Sequence, residues 1–179
     1  MTENIVYRKV EENEIEQYHK IRLDCLKNYP QNFGTLYDEE KKSSSFKFDK
    51  IIAQRLTTDF LMGAFANERL VGISGFIQEK REKTKHIGEI SGMYVVEEFS
   101  GQKIGAGLLS VTILTAFAIS TLEQIILAVA DKNKTAQNLY KKYGFVEYGR
   151  LQNYFKDNGI YETQVFMTLT RDQNKTTNR

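Results

Sequence analysis

The residues with the most chemical promise run from Met93 to Leu109, in the order Met-Tyr-Val-Val-Glu-Glu-Phe-Ser-Gly-Gln-Lys-Ile-Gly-Ala-Gly-Leu-Leu. An apolar strand-like run ends at Val96, a glycine-bearing loop follows, and an apolar helical run begins at Ile104. The first N–H groups of such a helix have no intrahelical acceptor, and its dipole adds about half a positive charge there. Together they predict an anion site suited to phosphate. Gly101, Gly105 and Gly107 would let a ligand approach the backbone closely, although Gly105 or Gly107 could instead serve tight helix packing. Lys103 adds a cation and Gln102 a side-chain donor. A P-loop is excluded because Gly-Lys-Ser/Thr is missing, and so is the dinucleotide pattern Gly-x-Gly-x-x-Gly.

Further along, Asn133 precedes a helical run and suits an N-cap. Tyr140 falls on a stripe with Ala136, Leu139 and Tyr143, which periodicity alone reads as core. Glu89 alternates with Ile87, Ser91, Met93 and Val95, which predicts one shared strand face. A carboxylate buried there would have a raised pKa. His86 sits where a charged turn enters a strand and reads as surface. His19 has no partner that the sequence reveals. Cys25, the single cysteine, lies beside Leu23 and Leu26 and reads as buried packing rather than a nucleophile. No His/Cys cluster has metal-ligand spacing, so no metal is expected.

These groups need a scaffold. Alternation predicts strands over 5–10, 60–66, 69–79, 87–96, 124–130, 145–155 and 160–169. Helical periodicity covers 14–27, 49–56, 104–121 and 134–143, and 104–121 is apolar nearly all round, hence buried. Asn67-Glu68 and Asp157-Asn158-Gly159 mark hairpin turns. Residues 28–48 hold the only proline, Pro30, and read as a loop with short helical pieces. The expected fold is a single-domain α/β (α+β) protein over 1–170, with helices on both faces of a mixed sheet. Residues 171–179 are polar and expected to be a disordered tail.

The 179 residues carry a net charge of +2, too mild to suggest nucleic acid or an anionic membrane as partner. No apolar run approaches the length of a membrane span. The opening residues lack a basic start and an apolar h-region, and one cysteine allows no internal disulfide. A cytoplasmic location is the expectation.

Asn133, Ala136, Leu139-Tyr140 and Gly144-Phe145 reproduce a spacing that resembles the GNAT N-acetyltransferase superfamily. That family also places a phosphate-binding loop after its fourth strand, where Gly101 to Ala106 fall. The resemblance extends over roughly 5–169. It implies a mostly antiparallel sheet of six or seven strands, splayed between strands four and five. The family loop normally reads Gln/Arg-x-x-Gly-x-Gly/Ala. Counting from Val95 puts Ser100 at the Gln/Arg position, Lys103 at the first glycine and Gly105 at the second. A literal Gln102-x-x-Gly105-x-Gly107 lies two residues later. The first register keeps the valine spacing and starts the helix near Ile104, so it is preferred.

The resemblance implies acetyl-CoA as acetyl donor. Met93, Tyr94 and Val95 would pair with the pantetheine arm. The backbone of Ser100, Gly101, Gln102, Lys103, Ile104, Gly105 and Ala106 would hold the pyrophosphate. Asn133, Ala136 and Tyr140 would complete the cofactor site. Tyr140 becomes the candidate general acid, since a phenol of pKa about 10 is protonated at neutral pH. Glu89, eleven residues before Ser100, matches a base glutamate of some members, whereas other members remove the proton through water. In the family, the first two helices and their connection, together with the last hairpin, wall the acceptor pocket, here about 29–46 and 153–161. Asp38, Glu39 and Glu40 could attract a cationic amine there, or form a solvated helix start. The ending Gly149-Arg150 to Met167 resembles small-molecule acetyltransferases. The expected function is therefore acetyl transfer to a small-molecule primary amine. A protein or peptide amine, a non-catalytic acetyl-CoA sensor and an interaction module are the alternatives, and a homodimer is left open.

Overall fold

The computed structural model describes residues 4–177. The opening three residues and the last two, on which parts of the leader and tail expectations fall, lie outside the described residues. Seven strands form one sheet in the order β1-β2-β3-β4-β5-β7-β6. They are β1 (Ile5–Lys9), β2 (Phe60–Ala66), β3 (Arg69–Gln78), β4 (Ile87–Val95), β5 (Gln124–Ala130), β6 (Val146–Asp157) and β7 (Ile160–Thr170). All neighbours are antiparallel except β4 and β5. The two tight hairpins have a local cause. Asn67 and Glu68 (φ 51° and 73°), and Asn158 and Gly159 (φ 47° and 80°), are all left-handed. Two left-handed residues make the turn whose twist matches that of paired strands.

The helices are α1 (Ile15–Asn28), α2 (Tyr37–Lys42), α3 (Asp49–Gln54), α4 (Ile104–Phe117), α5 (Lys134–Lys142) and α6 (Arg171–Thr177). They bury the two faces of the sheet separately. On one face α4 and α5 pack Leu108, Leu109, Ile113 and Tyr140 against Phe76, Ile90, Ile125 and Met167. On the other, α1 and α3 pack Tyr18, Leu26 and Ile52 against Leu61, Phe65 and Ile73. Every residue of β2 is buried, as a central strand covered on both sides requires. Cys25 is fully buried, and burial pushes its thiol up to about 12.

Two differences from the expected elements matter most. The apolar run at 104 stops being helical at Phe117 rather than Thr121, and Leu114 is 57% exposed, so the helix has an open side. Residues 171–177, expected to belong to a disordered tail, form α6. The reason is Arg171, whose guanidinium reaches back to carbonyls of the turn that ends α4. Among the described residues, no helix is long and apolar enough to cross a membrane.

At the entry to α1, Arg8 grips Glu14 through two hydrogen bonds of 2.8 and 2.6 Å. The Arg8 bond holds the Glu14 carboxyl below its usual range, against the opposing effect of burial. A carboxylate with a depressed folded pKa stabilises above its unfolded value and loses that contribution as pH falls through the folded one. Because the Arg8 side chain is 38% exposed, screening reduces the pair's worth, and Glu14→Gln is expected to cost about 1–2 kcal/mol at pH 7. Urea titrations should show that difference shrinking below pH 4.5, the unperturbed value for the group.

Candidate active site

The parallel pairing of β4 with β5 is short. It runs from Ile87 opposite Gln124 to Ile90 opposite Leu127 and then stops. Beyond that point the strands part, and a cleft of about 400 Å³ opens between them. Its floor is formed by Ser91 to Val95 on one side and Ala128 and Val129 on the other. A β-bulge sits where the parting starts. Ser74 of β3 faces two residues of β4, because Ile73 pairs with Tyr94 but Gly75 pairs with Ser91. Gly92 takes the left-handed conformation (φ 66°) that the extra residue requires.

The bulge reverses the strand's alternation. Ser91 meets Lys47 on the α1 side of the sheet. Met93 and Val95 lie against Gly105 of α4 on the other side. Glu89 precedes the bulge, so it does not share a face with Met93 and Val95 as plain alternation predicts. It is exposed and is not among the residues lining the cleft. The expected burial and the shared face with Met93 and Val95 are both missing, which corrects that part of the sequence reading.

At the mouth of the cleft, Gly101 (φ 76°) and Lys103 (φ 62°) are left-handed. The N–H groups from Gly101 to Ala106 find no protein acceptor among the described residues; Ser100 N bonds Glu97 O and Gly107 N bonds Lys103 O. Six consecutive donors thus stand unpaired at the start of a 14-residue helix, a geometry that suits an anion. A lysine in left-handed backbone occupies a position that suits glycine, which supports the register placing Lys103 at the first glycine. The other glycines divide their roles. A Cβ at Gly105 would make ordinary contact, 3.6 Å from Met93, whereas one at Gly107 would lie 2.3 Å from the Tyr7 hydroxyl. Gly107 therefore serves packing. The Gln102 side chain turns back towards Glu98 O at 3.5 Å, which leaves its backbone N–H as the donor at that position.

Helix α5 brings up the other wall. Asn133, Ala136 and Tyr140 line the cleft, and Ser100 joins them from the loop. Asn133 Oδ1 accepts from Ala136 N at 3.1 Å, so the N-cap reading holds. Its amide Nδ2 has no protein partner among the described residues. Among the described residues the Tyr140 hydroxyl meets only Met93 Sδ, at 3.8 Å, and burial pushes its pKa up to about 12. Tyr94 is among the residues lining the cleft, but its side chain packs with the α1-side core and its hydroxyl donates to Asp24 at 2.7 Å. Burial and then that bond raise its pKa.

Two supports were not recognised from sequence. Gln137, 3% exposed, donates to the carbonyls of Ala130 and Asp131 and anchors the start of α5. The Tyr143 hydroxyl donates to Ala106 O at 2.8 Å and ties α5 to the loop helix. The spacing Asn133, Gln137, Tyr140 was the available signal for Gln137, since it marks one helix face.

The remaining candidates scatter. The carbonyl of His86 accepts N–H bonds from Glu123 and Gln124, at the opposite end of β4 from the cleft. His19 has a partner after all, Asp49 at 2.7 Å, and its ring lies on Phe46. The acidic group does not line the cleft. Glu40 pairs with Arg22 at 3.2 Å, Glu39 accepts from Leu36 N, and Asp38 is exposed. The two expected acceptor walls do meet. Tyr29, Asn32 and Phe33 line the cleft, and a Cβ at Gly34 would lie 2.6 Å from the Phe155 ring of the last hairpin.

The sequence profile of the acetyltransferase (GNAT) family matches residues 16–145. The chain belongs to that family. Solved GNAT relatives share the architecture. A Salmonella typhimurium protein described as an acetyltransferase, solved with its cofactor acetyl-CoA, superposes with a TM-score of 0.78 at 16% identity over 93% of this chain and 94% of its own. An N-acetyltransferase from Staphylococcus aureus gives 0.77 at 20% identity, covering 93% and 98% of the two chains. A chimeric spermidine N-acetyltransferase from Vibrio cholerae and human sequences gives 0.71 at 24%, covering 98% and 99%. At these identities the likeness establishes the GNAT fold. Among curated proteins, an N-alpha-acetyltransferase of Sulfurisphaera tokodaii is 33% identical over 70 residues, 39% of this chain and 42% of that protein. N-alpha-acetyltransferase 30 of Schizosaccharomyces pombe is 28% identical over 97 residues, 54% and 64% of the respective lengths. The match thus spans less than two thirds of either relative.

Proposed function

We propose that this GNAT protein is an acyltransferase that moves the acetyl group of acetyl-CoA to a small-molecule primary amine by direct attack in a ternary complex. One observation carries the reading: six free backbone donors, Gly101 to Ala106, stand at the mouth of a cleft whose wall holds the Tyr140 hydroxyl. The donors hold the diphosphate, and Asn133 Nδ2 with the β4 backbone from Met93 to Val95 holds the pantetheine arm. The amine nitrogen attacks the thioester carbonyl carbon, the C–S bond breaks, and the leaving sulfur takes the Tyr140 proton. The nitrogen loses its own proton to water, since Glu89 lies outside the cleft lining, and water returns a proton to the Tyr140 phenolate; Glu89→Gln is expected to leave the acidic limb of the pH–rate profile in place.

Titration calorimetry should detect acetyl-CoA binding, and thiol release across polyamines, amino acids, aminoglycosides and peptides should reveal turnover. Binding without turnover on any amine would favour a sensor, and no binding would overturn the proposal. The names of the curated relatives favour a second reading, acetylation of a peptide α-amine. The Gly34–Phe155 contact, which narrows the acceptor side, favours the small molecule.

Asn133 permits a clean separation of roles. Aspartate caps a helix as well as asparagine does but lacks the amide donor. Asn133→Asp is expected to keep the thermal midpoint while acetyl-CoA affinity falls about tenfold or more. Equal losses of both would reduce Asn133 to a cap. A homodimer belongs to the proposal because edge strand β6 exposes Tyr148, Leu151 and Tyr154 to 57, 51 and 47%; sedimentation of Tyr148→Lys against the wild type tests it. So does a cytoplasmic location, where the lone thiol stays reduced.

A further inference from the structure

A second cavity of about 180 Å³ adjoins the cleft. The two share Phe33, Ser91 and Gly92, so the annex opens at the bulge where β4 and β5 part. Its other walls include Arg22, Thr35 and Lys47. Lys47 Nζ donates to Ser91 Oγ at 3.0 Å and takes part in no ion pair among the described residues. The Arg22 side chain is only 13% exposed. Its guanidinium carries five N–H donors in a fixed fork. One reaches Glu40 through Nε at 3.2 Å, another approaches Cys25 Sγ at 3.9 Å, and the others have no acceptor among the described residues. Of the lining residues Arg22 and Lys47 carry charge. Glu40 offsets Arg22, and nearby Asp49 is engaged by the His19 ring and the Phe46 N–H. Burial keeps the Cys25 thiol and Tyr18 phenol protonated. The Lys47 charge thus faces the annex without a carboxylate partner among the described residues.

We infer that the annex is the specificity pocket of the acceptor and that it takes an anionic group. The acceptor is then an amine carrying its own carboxylate or phosphate. The annex would seat that group between the spare Arg22 donors and Lys47, leaving the amine at Ser91 and Gly92. The annex volume limits the anionic end to a few heavy atoms, and its charge disfavours a polyamine. The role of the amine rests on the acetyltransferase reading, but the anion preference of the annex does not.

The test uses pairs of amines in which one member has an anionic tail and the other an uncharged one. Isotope-labelled protein is titrated with β-alanine against β-alaninamide, and with O-phosphoethanolamine against ethanolamine. The anionic members are expected to move the amide resonances of Thr35, Lys47 and Ser91, and the uncharged-tail partners to leave them in place. If neither anion moves them, the inference is overturned, whatever the turnover. In the thiol-release assay the anionic member of at least one pair is expected to exceed its partner in kcat/KM by about tenfold or more. Equal turnover within both pairs would also overturn it. Lys47→Gln alters an exposed position and should fold; it is expected to erase most of the discrimination within each pair. A Glu-first tripeptide against its Gln-first partner separates a peptide carboxylate from a free amino acid, and preference for the acidic member supports the pocket. Absence of acetyl-CoA binding by calorimetry would remove the acetyltransferase reading and leave the resonance comparison to decide the annex by itself.

Discussion

Tyr140→Phe is expected to lower kcat by about 10²- to 10⁴-fold, the range for loss of a positioned acid. Acetyl-CoA affinity should stay close to wild type. The expectation follows from how the hydroxyl is held. Tyr140 is 8% exposed, so its ring is fixed by packing, including an edge contact with Phe145 at 5.9 Å. Its hydroxyl meets a thioether rather than a carboxylate or an amine. Burial pushes its pKa up to about 12, so the group keeps its proton throughout the working range. Ionisation of Tyr140 should therefore impose no alkaline limb on kcat below about pH 11. Because the hydroxyl makes only that weak sulfur contact, phenylalanine should cost the fold less than about 1 kcal/mol. Single-turnover thiol release, paired with calorimetry of acetyl-CoA binding, separates chemistry from affinity. A kcat that survives the substitution would return Tyr140 to the core.

The largest effect expected on stability lies far from the cleft. Arg171→Met should destabilise the protein by about 2–4 kcal/mol, because it removes charge-assisted bonds and exposes the carbonyls they satisfied. The guanidinium donates to Phe117 O at 2.7 Å, Ile119 O at 2.9 Å and Leu122 O at 3.0 Å. It also stands 5.1 Å from the centre of the Phe117 ring. A helix leaves its last carbonyls without intrahelical donors, and a cation there also offsets the negative end of the dipole. One planar fork thus closes α4 and the turn into β5. Lysine cannot reproduce it, since an ammonium lacks the planar arrangement of donors. Arg171→Lys should recover less than half of the loss. Urea midpoints with unchanged slope would measure both variants. A loss below about 0.5 kcal/mol for methionine would mean that water replaces the arginine at those carbonyls.

Much of the scaffold could be read before any coordinate was known, and the reason is local. β2 and β5 appear with the expected bounds because their apolar runs are flanked by turn residues. Both tight hairpins sit where Asn-Glu and Asn-Gly place left-handed residues. The phosphate-type loop was legible because a glycine-bearing junction before an apolar helix leaves N–H groups unpaired, whatever lies across from it. Asn133 as a cap was legible for the same reason.

The details of the site were not legible in this way. The extra residue at Gly92 changes which face Met93 and Val95 occupy relative to Glu89, and a bulge depends on how two strands pair, not on one strand's pattern. Glu40 looked available until α1 supplied Arg22 as its partner, 18 residues earlier. Arg171 looked like the start of a tail because its acceptors lie 49 to 54 residues away. The sequence by itself thus determined the elements, the turns and the donor-rich helix start, all of which depend on neighbours within a turn or two. Only the tertiary structure decided which charges remain unpaired around Ser91 and which side chains turn towards the cleft, because both depend on contacts between segments distant in the chain.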